Sequence, residues 1–276
     1  MSNVTFVNID SLTIVGGGNM GAAFAQGLLA AGQPAASLSI IEVSDDRRRL
    51  LGDMFPGVTV SASLGRCSAV VVAVKPPDVP TAVRAAVAAG AQTVLSIAAG
   101  VSVATLQHSA GPNVAVVRAM PNTPSLVGQG ASAYALGPTC HDDTAELAAQ
   151  ILGSVGVAVQ VNESQLDAIT GLTGSGPAYL FFVAEALIAA GVAGGLDPKV
   201  ADTLVRQLFL GTGTLLSQSA ETPGRLREMV TSPGGTTAAG LAVLGKEGVS
   251  EAFLAAVEAA TARSVELGQV AMGGVE

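Results

Sequence analysis

Short runs of consecutive aliphatic and β-branched residues recur through the first half of the chain, each stopped by glycine, proline or a small loop. Leu12 to Val15, Leu38 to Glu42, Val70 to Val74, Val94 to Ile97 and Val114 to Val117 are almost free of polar alternation, as expected of strands buried on both faces of a parallel sheet. A helix-like stretch from Ala22 to Ala31 follows the first run. A further strand pair, Ala131 to Ala135 and Val157 to Val161, brackets a helix from Asp142 to Leu152. After Asn162 the pattern changes. From Gln165 onward it predicts helices separated by glycine and proline: Pro177 to Ala193, Pro198 to Gln218, Thr237 to Lys246 and Ser250 to Leu267. Pro177 and Pro198 stand where first helical turns begin. The expected class is α/β, a parallel sheet over residues 1–162 followed by an all-α domain over residues 163–276.

Chemistry enters where the first strand run breaks into Gly16-Gly17-Gly18-Asn19-Met20-Gly21. Gly16 permits a tight turn, Gly18 lets a pyrophosphate approach bare backbone, and Gly21 lets the following helix pack closely on the strand. A Gly-x-Gly-x-x-Gly match is weak alone, but this one has strand, turn and helix context and a second strand at βαβ distance. The reading is a Rossmann-type dinucleotide site. Glu42 ends that second strand, where an acidic group accepts from the adenosine ribose hydroxyls and repels a 2′-phosphate, which argues for NADH. Arg47, Arg48 and Arg49 follow, and they read either as a clamp for the 2′-phosphate of NADPH or as the solvated face of the next helix. The balance tips slightly to NADH.

A second anion site is expected far along the chain, at Thr231-Ser232-Pro233-Gly234-Gly235-Thr236-Thr237. Pro233 suits a first helical position, and two glycines leave several N–H groups bare for one carboxylate or phosphate. Ser232, Thr236 and Thr237 place hydroxyls beside it. The plain alternative is a helix cap with flexible glycines.

Composition narrows the class. Charged residues are 12 % and aromatics 3 %, with tryptophan absent, so the interior is built from Ala, Val and Leu, and too few charges remain to cover a monomer's surface. An obligate homo-oligomer is expected. A net charge of −8 with no basic run beyond Arg47 to Arg49 argues against nucleic acid as a partner. Cys67 and Cys140 fit neither a disulfide framework nor a metal-ligand spacing, and no metal site is expected. His108 and His141 fall outside every motif and read as ordinary surface or loop residues. The span Ala85 to Val117 lacks charge, but Gly90, Gln92, Ser96, Gly100, Ser102 and Gln107 cut its apolar runs well below the ~20 residues a bilayer needs. No secretory signal is read at the N-terminus, and a cytoplasmic location is expected.

Six segments together resemble the pyrroline-5-carboxylate reductase family across nearly the whole chain. They are Gly16 to Gly21, Ala73-Val74-Lys75-Pro76, Ala98-Ala99-Gly100, Arg118 to Pro124, Gly171 to Tyr179, and Thr231 to Thr237. The resemblance implies reduction of 1-pyrroline-5-carboxylate to L-proline with NADH or NADPH, the last step of proline biosynthesis. It also implies a Rossmann domain followed by a helical dimerisation domain, with dimers that in many members form a decamer. By the same resemblance, amides of Gly234, Gly235 and Thr236 bind the substrate carboxylate with Ser232 assisting, and Thr237 hydrogen-bonds the ring nitrogen as the proton donor; since a hydroxyl is too weak an acid near neutrality, Thr237, a catalytic residue with Ser232, reads chiefly as an orienting group. Val74, Lys75 and Pro76 lie along the nicotinamide ribose, Ala98 and Ala99 lie beside the nicotinamide, and Asn19 and Met20 lie at the pyrophosphate turn. Lys75 reads as a strand-end residue rather than a catalytic lysine, while Arg118 is either a substrate anchor or structural. β-Hydroxyacid dehydrogenases share the domain plan but use a lysine and an asparagine on the helix after the Rossmann domain, and Thr170 to Leu187 contains neither. A non-catalytic dinucleotide-binding module is the other alternative, and it leaves the second anion site unexplained.

Overall fold

The computed structural model describes residues 9–272. By packing, the chain divides into one compact unit running to Ser175 and resuming at Glu258, and a second formed by Gly176–Val257.

The first unit is built on an eight-stranded sheet. In chain order its elements are β1 (Leu12–Val15), α1 (Asn19–Ala30), β2 (Leu38–Ile41), α2 (Asp45–Met54), β3 (Thr59–Ser61), β4 (Ala69–Val72), α3 (Val79–Ala88), β5 (Thr93–Ser96), α4 (Val103–Ala110), β6 (Ala115–Met120), β7 (Gly130–Leu136), α5 (Asp142–Gly153), β8 (Gly156–Gln160) and the single turn α6 (Leu166–Ile169). The strands lie in the order β3-β2-β1-β4-β5-β6-β7-β8. Every neighbouring pair is parallel except β6 and β7.

Alternation along each strand sends side chains to two separate cores. Leu12, Ile14, Val71, Leu95 and Val117 join Phe24 and Leu28 of α1, Leu51 of α2 and Ile151 and Leu152 of α5 on one face. Val15, Val70, Val72, Val94 and Val116 join Val79 and Val83 of α3 and Val103 and Leu106 of α4 on the other. A sheet covered on both sides needs apolar residues at every position, which is why these strands show no polar alternation. Truncating a fully buried side chain such as Phe24 or Leu28 to alanine costs about 2–5 kcal/mol.

The second unit carries α7 (Gly176–Ala193), α8 (Pro198–Gln218), α9 (Pro223–Met229), α10 (Thr236–Lys246) and the start of α11 (Val249–Met272), whose later half returns to the first unit. Pro198 stands at N1 of α8 behind Asp197, whose carboxylate accepts from the Lys199 and Val200 amides. Pro233 does not open a helix: it lies in the preceding turn, and Gly235 is the N-cap of α10. No residue of α7 is buried in the single chain, and Phe181 and Phe182 are 67 % and 71 % exposed. Among the described residues, one helical stretch, Glu163–Ala193, is long and apolar enough to cross a bilayer by length and composition.

Candidate active site

The sheet order reverses at β1, whose neighbours β2 and β4 continue the chain in opposite directions. Ligands of open α/β sheets bind beyond the strand ends at such a point. The loop after β1 is fixed there by its neighbours: the Gly16 N–H donates to the Ile41 carbonyl (2.8 Å), and the Ala73 N–H donates to the Val15 carbonyl (2.8 Å). Gly16 has φ +107°, and a Cβ there would sit 2.5 Å from the Ala73 carbonyl oxygen. A Cβ on Gly21 would collide with the carbonyl oxygen of Gly16. Gly18 differs. It has ordinary extended backbone, φ −64° and ψ −170°, and a Cβ on it would meet no protein atom within 4 Å. Two glycines therefore serve the fold, while the third faces open space at the N-terminus of α1. That helix carries no side-chain cap, so its first N–H groups face an anion position. This cradle fits a dinucleotide pyrophosphate, with Asn19 and Met20 forming the first turn.

Glu42 stands just past β2. Its Oε2 accepts from the Gly17 N–H at 3.0 Å and its Oε1 from the Ser44 N–H at 2.9 Å, so the carboxylate is held beside the glycine loop. The three arginines have separate tasks. Arg48 donates to the carbonyls of Glu42 and Val43 (both 2.8 Å) and pairs with Asp45. Arg49 pairs with Asp46 on the surface. Only Arg47 reaches the glycine loop, its Nε donating to the Gly17 carbonyl at 2.7 Å.

Val74, Lys75 and Pro76 follow β4 at the same sheet edge, and Val74 lies beside Gly16. Lys75 is exposed and precedes a short turn in which the Asp78 N–H donates to its carbonyl. Ala98 and Ala99 follow β5. Ala98 is buried, with its N–H donating to Ser96 Oγ at 3.3 Å, whereas Ala99 is exposed.

In the second unit, Gly234 has φ +68°, and the Gly235 N–H donates to the Ser232 carbonyl at 3.0 Å. The turn thus consumes the Gly235 amide, one of the three donors expected for a bound carboxylate. A Cβ on Gly235 would collide with Ser232 Oγ, so that glycine lets the serine fold over the turn. α10 has no side-chain cap, and Ser232, Thr236 and Thr237 are exposed.

Arg118 is structural. It is 9 % exposed and bonded to Glu163 Oε1 (3.1 Å) and Asp167 Oδ1 (3.3 Å). His141 precedes α5 and closes a capping box with Thr144, and His108 lies exposed in the last turn of α4. Burial pushes both the Cys67 and Cys140 thiols up from their ordinary range, which keeps them in the unreactive thiol form.

Asn122 and Glu163 are among the residues whose partners the sequence does not announce. Asn122 accepts from the Ala131 N–H (2.9 Å) and donates to the Thr173 carbonyl (3.0 Å), tying β7 to the Thr170–Gly174 π-turn. Glu163 joins Arg118 to the N-terminus of α4. Asn122 lay in a recognised motif without an assigned task, and nothing in the sequence near Glu163 points to a partner 45 residues away.

The fold, the switch-point glycine loop and the acid after β2 mark a Rossmann-type domain of the dinucleotide-binding class. Comparison with known proteins narrows the class. Residues 163–267 match the family described as pyrroline-5-carboxylate reductase dimerisation, and residues 11–100 match that described as NADP oxidoreductase, coenzyme F420-dependent. Pyrroline-5-carboxylate reductase from Synechocystis is 40 % identical over 263 residues, covering 94 % of this chain and 98 % of that one. The Coxiella burnetii reductase structure superposes with TM-score 0.89 at 33 % identity, covering 94 % of this chain and 99 % of that one. A Plasmodium falciparum pyrroline carboxylate reductase structure with NADP bound gives TM-score 0.81 at 30 % identity, covering 95 % and 98 %. The chain belongs to the pyrroline-5-carboxylate reductase family, whose members are NAD(P)H-dependent oxidoreductases.

Proposed function

We infer that this chain reduces 1-pyrroline-5-carboxylate to L-proline, the last step of proline biosynthesis, with Gly16 to Gly21 holding the cofactor and the start of α10 holding the substrate. The observation that carries the reading is the pair of uncapped helix starts, α1 behind Gly18 and α10 behind Gly235, within a chain similar over almost its full length to reductases of that name. The reduced nicotinamide supplies a hydride. A protonated cyclic imine already accepts hydride readily, so the protein's part is to orient both reactants and hold the substrate's charge. The amides of Gly234 and Thr236 take the carboxylate, with the Ser232 hydroxyl assisting and Gly235 keeping the backbone bare. Thr237 orients the ring nitrogen. Its hydroxyl has too high a pKa to act as a strong acid near neutrality, so the proton comes from water or from the imine already protonated.

On the cofactor side, Val74, Lys75 and Pro76 line the nicotinamide ribose, Ala98 and Ala99 the nicotinamide, and Glu42 the adenosine ribose. The tethered Glu42 carboxylate supports a modest preference for NADH, since a 2′-phosphate would meet its charge. Arg47, the one arginine on the glycine loop, leaves NADPH usable. The exposed apolar helices of the second unit support a homodimer with this face buried against a second copy rather than against lipid or nucleic acid, and such dimers assemble further into a decamer in the cytoplasm.

Mixing the purified protein with pyrroline-5-carboxylate and either NADH or NADPH, and following absorbance of the reduced nicotinamide, tests the assignment. Consumption with both and a higher kcat/KM for NADH is expected. No consumption with either removes the reading, and it leaves the non-catalytic dinucleotide module as the alternative.

A further inference from the structure

The Ala98-Ala99-Gly100 loop is supported from three sides. At its entry, the Ile97 N–H donates to the Val72 carbonyl at 3.1 Å. At its exit, α4 begins at Val103, whose N–H donates to Glu163 Oε1 at 2.7 Å. Behind it, Gly100 lies against the backbone of α11. With φ +76°, it brings the position a Cβ would take to 3.4 Å from the Gly268 nitrogen.

The same face of α11 is bound a second time. Ser264, one helical turn before Gly268, is 6 % exposed and donates to Asp167 Oδ1 at 2.8 Å. Asp167 accepts from Arg118, Arg118 also donates to Glu163, and Glu163 caps α4. An unbroken chain of charged groups thus runs from α11 to the helix that ends the loop. One cation faces two carboxylates, and the excess negative charge is met by the α4 N-terminus and the Ser264 hydroxyl. Arg118 is nearly buried while Glu163 and Asp167 keep partial contact with solvent, so the cation and the Ser264 hydroxyl hold the two carboxylates in place from the protein side.

We propose that Ser264 and Gly268 are positioning residues for hydride transfer: from one face of α11 they set the Ala98-Ala99-Gly100 loop, the serine through Asp167, Arg118 and Glu163 and the glycine by direct backbone packing. The proposal rests on the reading that this loop meets the nicotinamide. A Cβ on Gly268 would lie 3.4 Å from the Gly100 carbonyl oxygen, an ordinary contact, so alanine is accommodated there while a branched side chain pushes the loop outward.

The test titrates full-length variants with two ligands, NADH and ADP-ribose, the second lacking only the nicotinamide. Ser264→Ala is expected to raise the Kd for NADH about threefold and Gly268→Val about tenfold, the range seen when a coupled network is broken. ADP-ribose affinity stays at the wild-type value, and Ser264→Thr, which keeps the hydroxyl, binds NADH as wild type does. Ala99→Leu reports on the underlying reading, because bulk on the exposed loop face blocks the nicotinamide directly. If Ala99→Leu weakens NADH but Ser264→Ala and Gly268→Val do not, or if they weaken both ligands equally, α11 is only a structural support and the proposal falls. If Ala99→Leu leaves NADH affinity intact, the loop does not meet the nicotinamide, and the cofactor reading falls with it.

Discussion

Gly18 separates fold from function more cleanly than its neighbours do. Substituting Gly16 or Gly21 drives a side chain into backbone, so a loss of activity there is confounded with a loss of structure. Gly18 has unstrained dihedrals and empty space above it. Gly18→Val is therefore expected to melt within a few degrees of the wild type, yet to show no cofactor binding by nicotinamide fluorescence. Retained binding would move the pyrophosphate away from this loop. Thr237 offers the complementary case. It is exposed in the first turn of α10, so Thr237→Ala costs little stability. The expected result is a kcat about 10–100-fold lower with the cofactor Kd unchanged, as for loss of one orienting hydrogen bond. A fully active variant would remove the hydroxyl from the reaction.

At the scale of elements, the sequence was most legible where a residue's neighbours in space were also its neighbours in the chain. Strands β1, β2, β4, β5 and β6 were visible as unalternating apolar runs because both faces of the sheet are covered. Helix α8 was visible because Pro198 marks its start. β3 was missed because it is three residues long, at the sheet edge, and has no fully buried residue. α9, opened by Pro223 and rich in charge, is not among the helices the sequence pattern predicts. The glycine cradle at β1 was legible residue by residue, since its geometry is local. The Arg118 cluster was not, because Glu163, Asp167 and Ser264 reach it from 45, 49 and 146 residues away along the chain, with no shared periodicity. Pro233 misled for a related reason: proline also suits a turn, and the Gly235 amide bonded to Ser232 moves the helix start three residues on.

For the whole molecule, composition leads to the expectation of an oligomer, and residues 163–267 match a family described by its dimerisation. Only 12 % of the residues are charged, and α7, apolar except for Glu185 and the Tyr179 hydroxyl, has no buried residue when the chain stands alone. Contiguous exposed apolar surface of this kind marks an interface. Phe181→Glu combined with Phe182→Glu is expected to shift the protein to monomers in sedimentation velocity and to lower Tm. An unchanged sedimentation coefficient would show that these side chains do not form the contact.

In the proposed reaction, hydride passes from the cofactor bound at the glycine loop to the imine carbon of the substrate. This transfer is tested most directly by running the reaction with NADH deuterated at both C4 positions and analysing the product by mass spectrometry and proton NMR. L-proline carrying one deuterium, located at C5, is expected. Proline without deuterium, or no proline at all while the cofactor is oxidised, would contradict it.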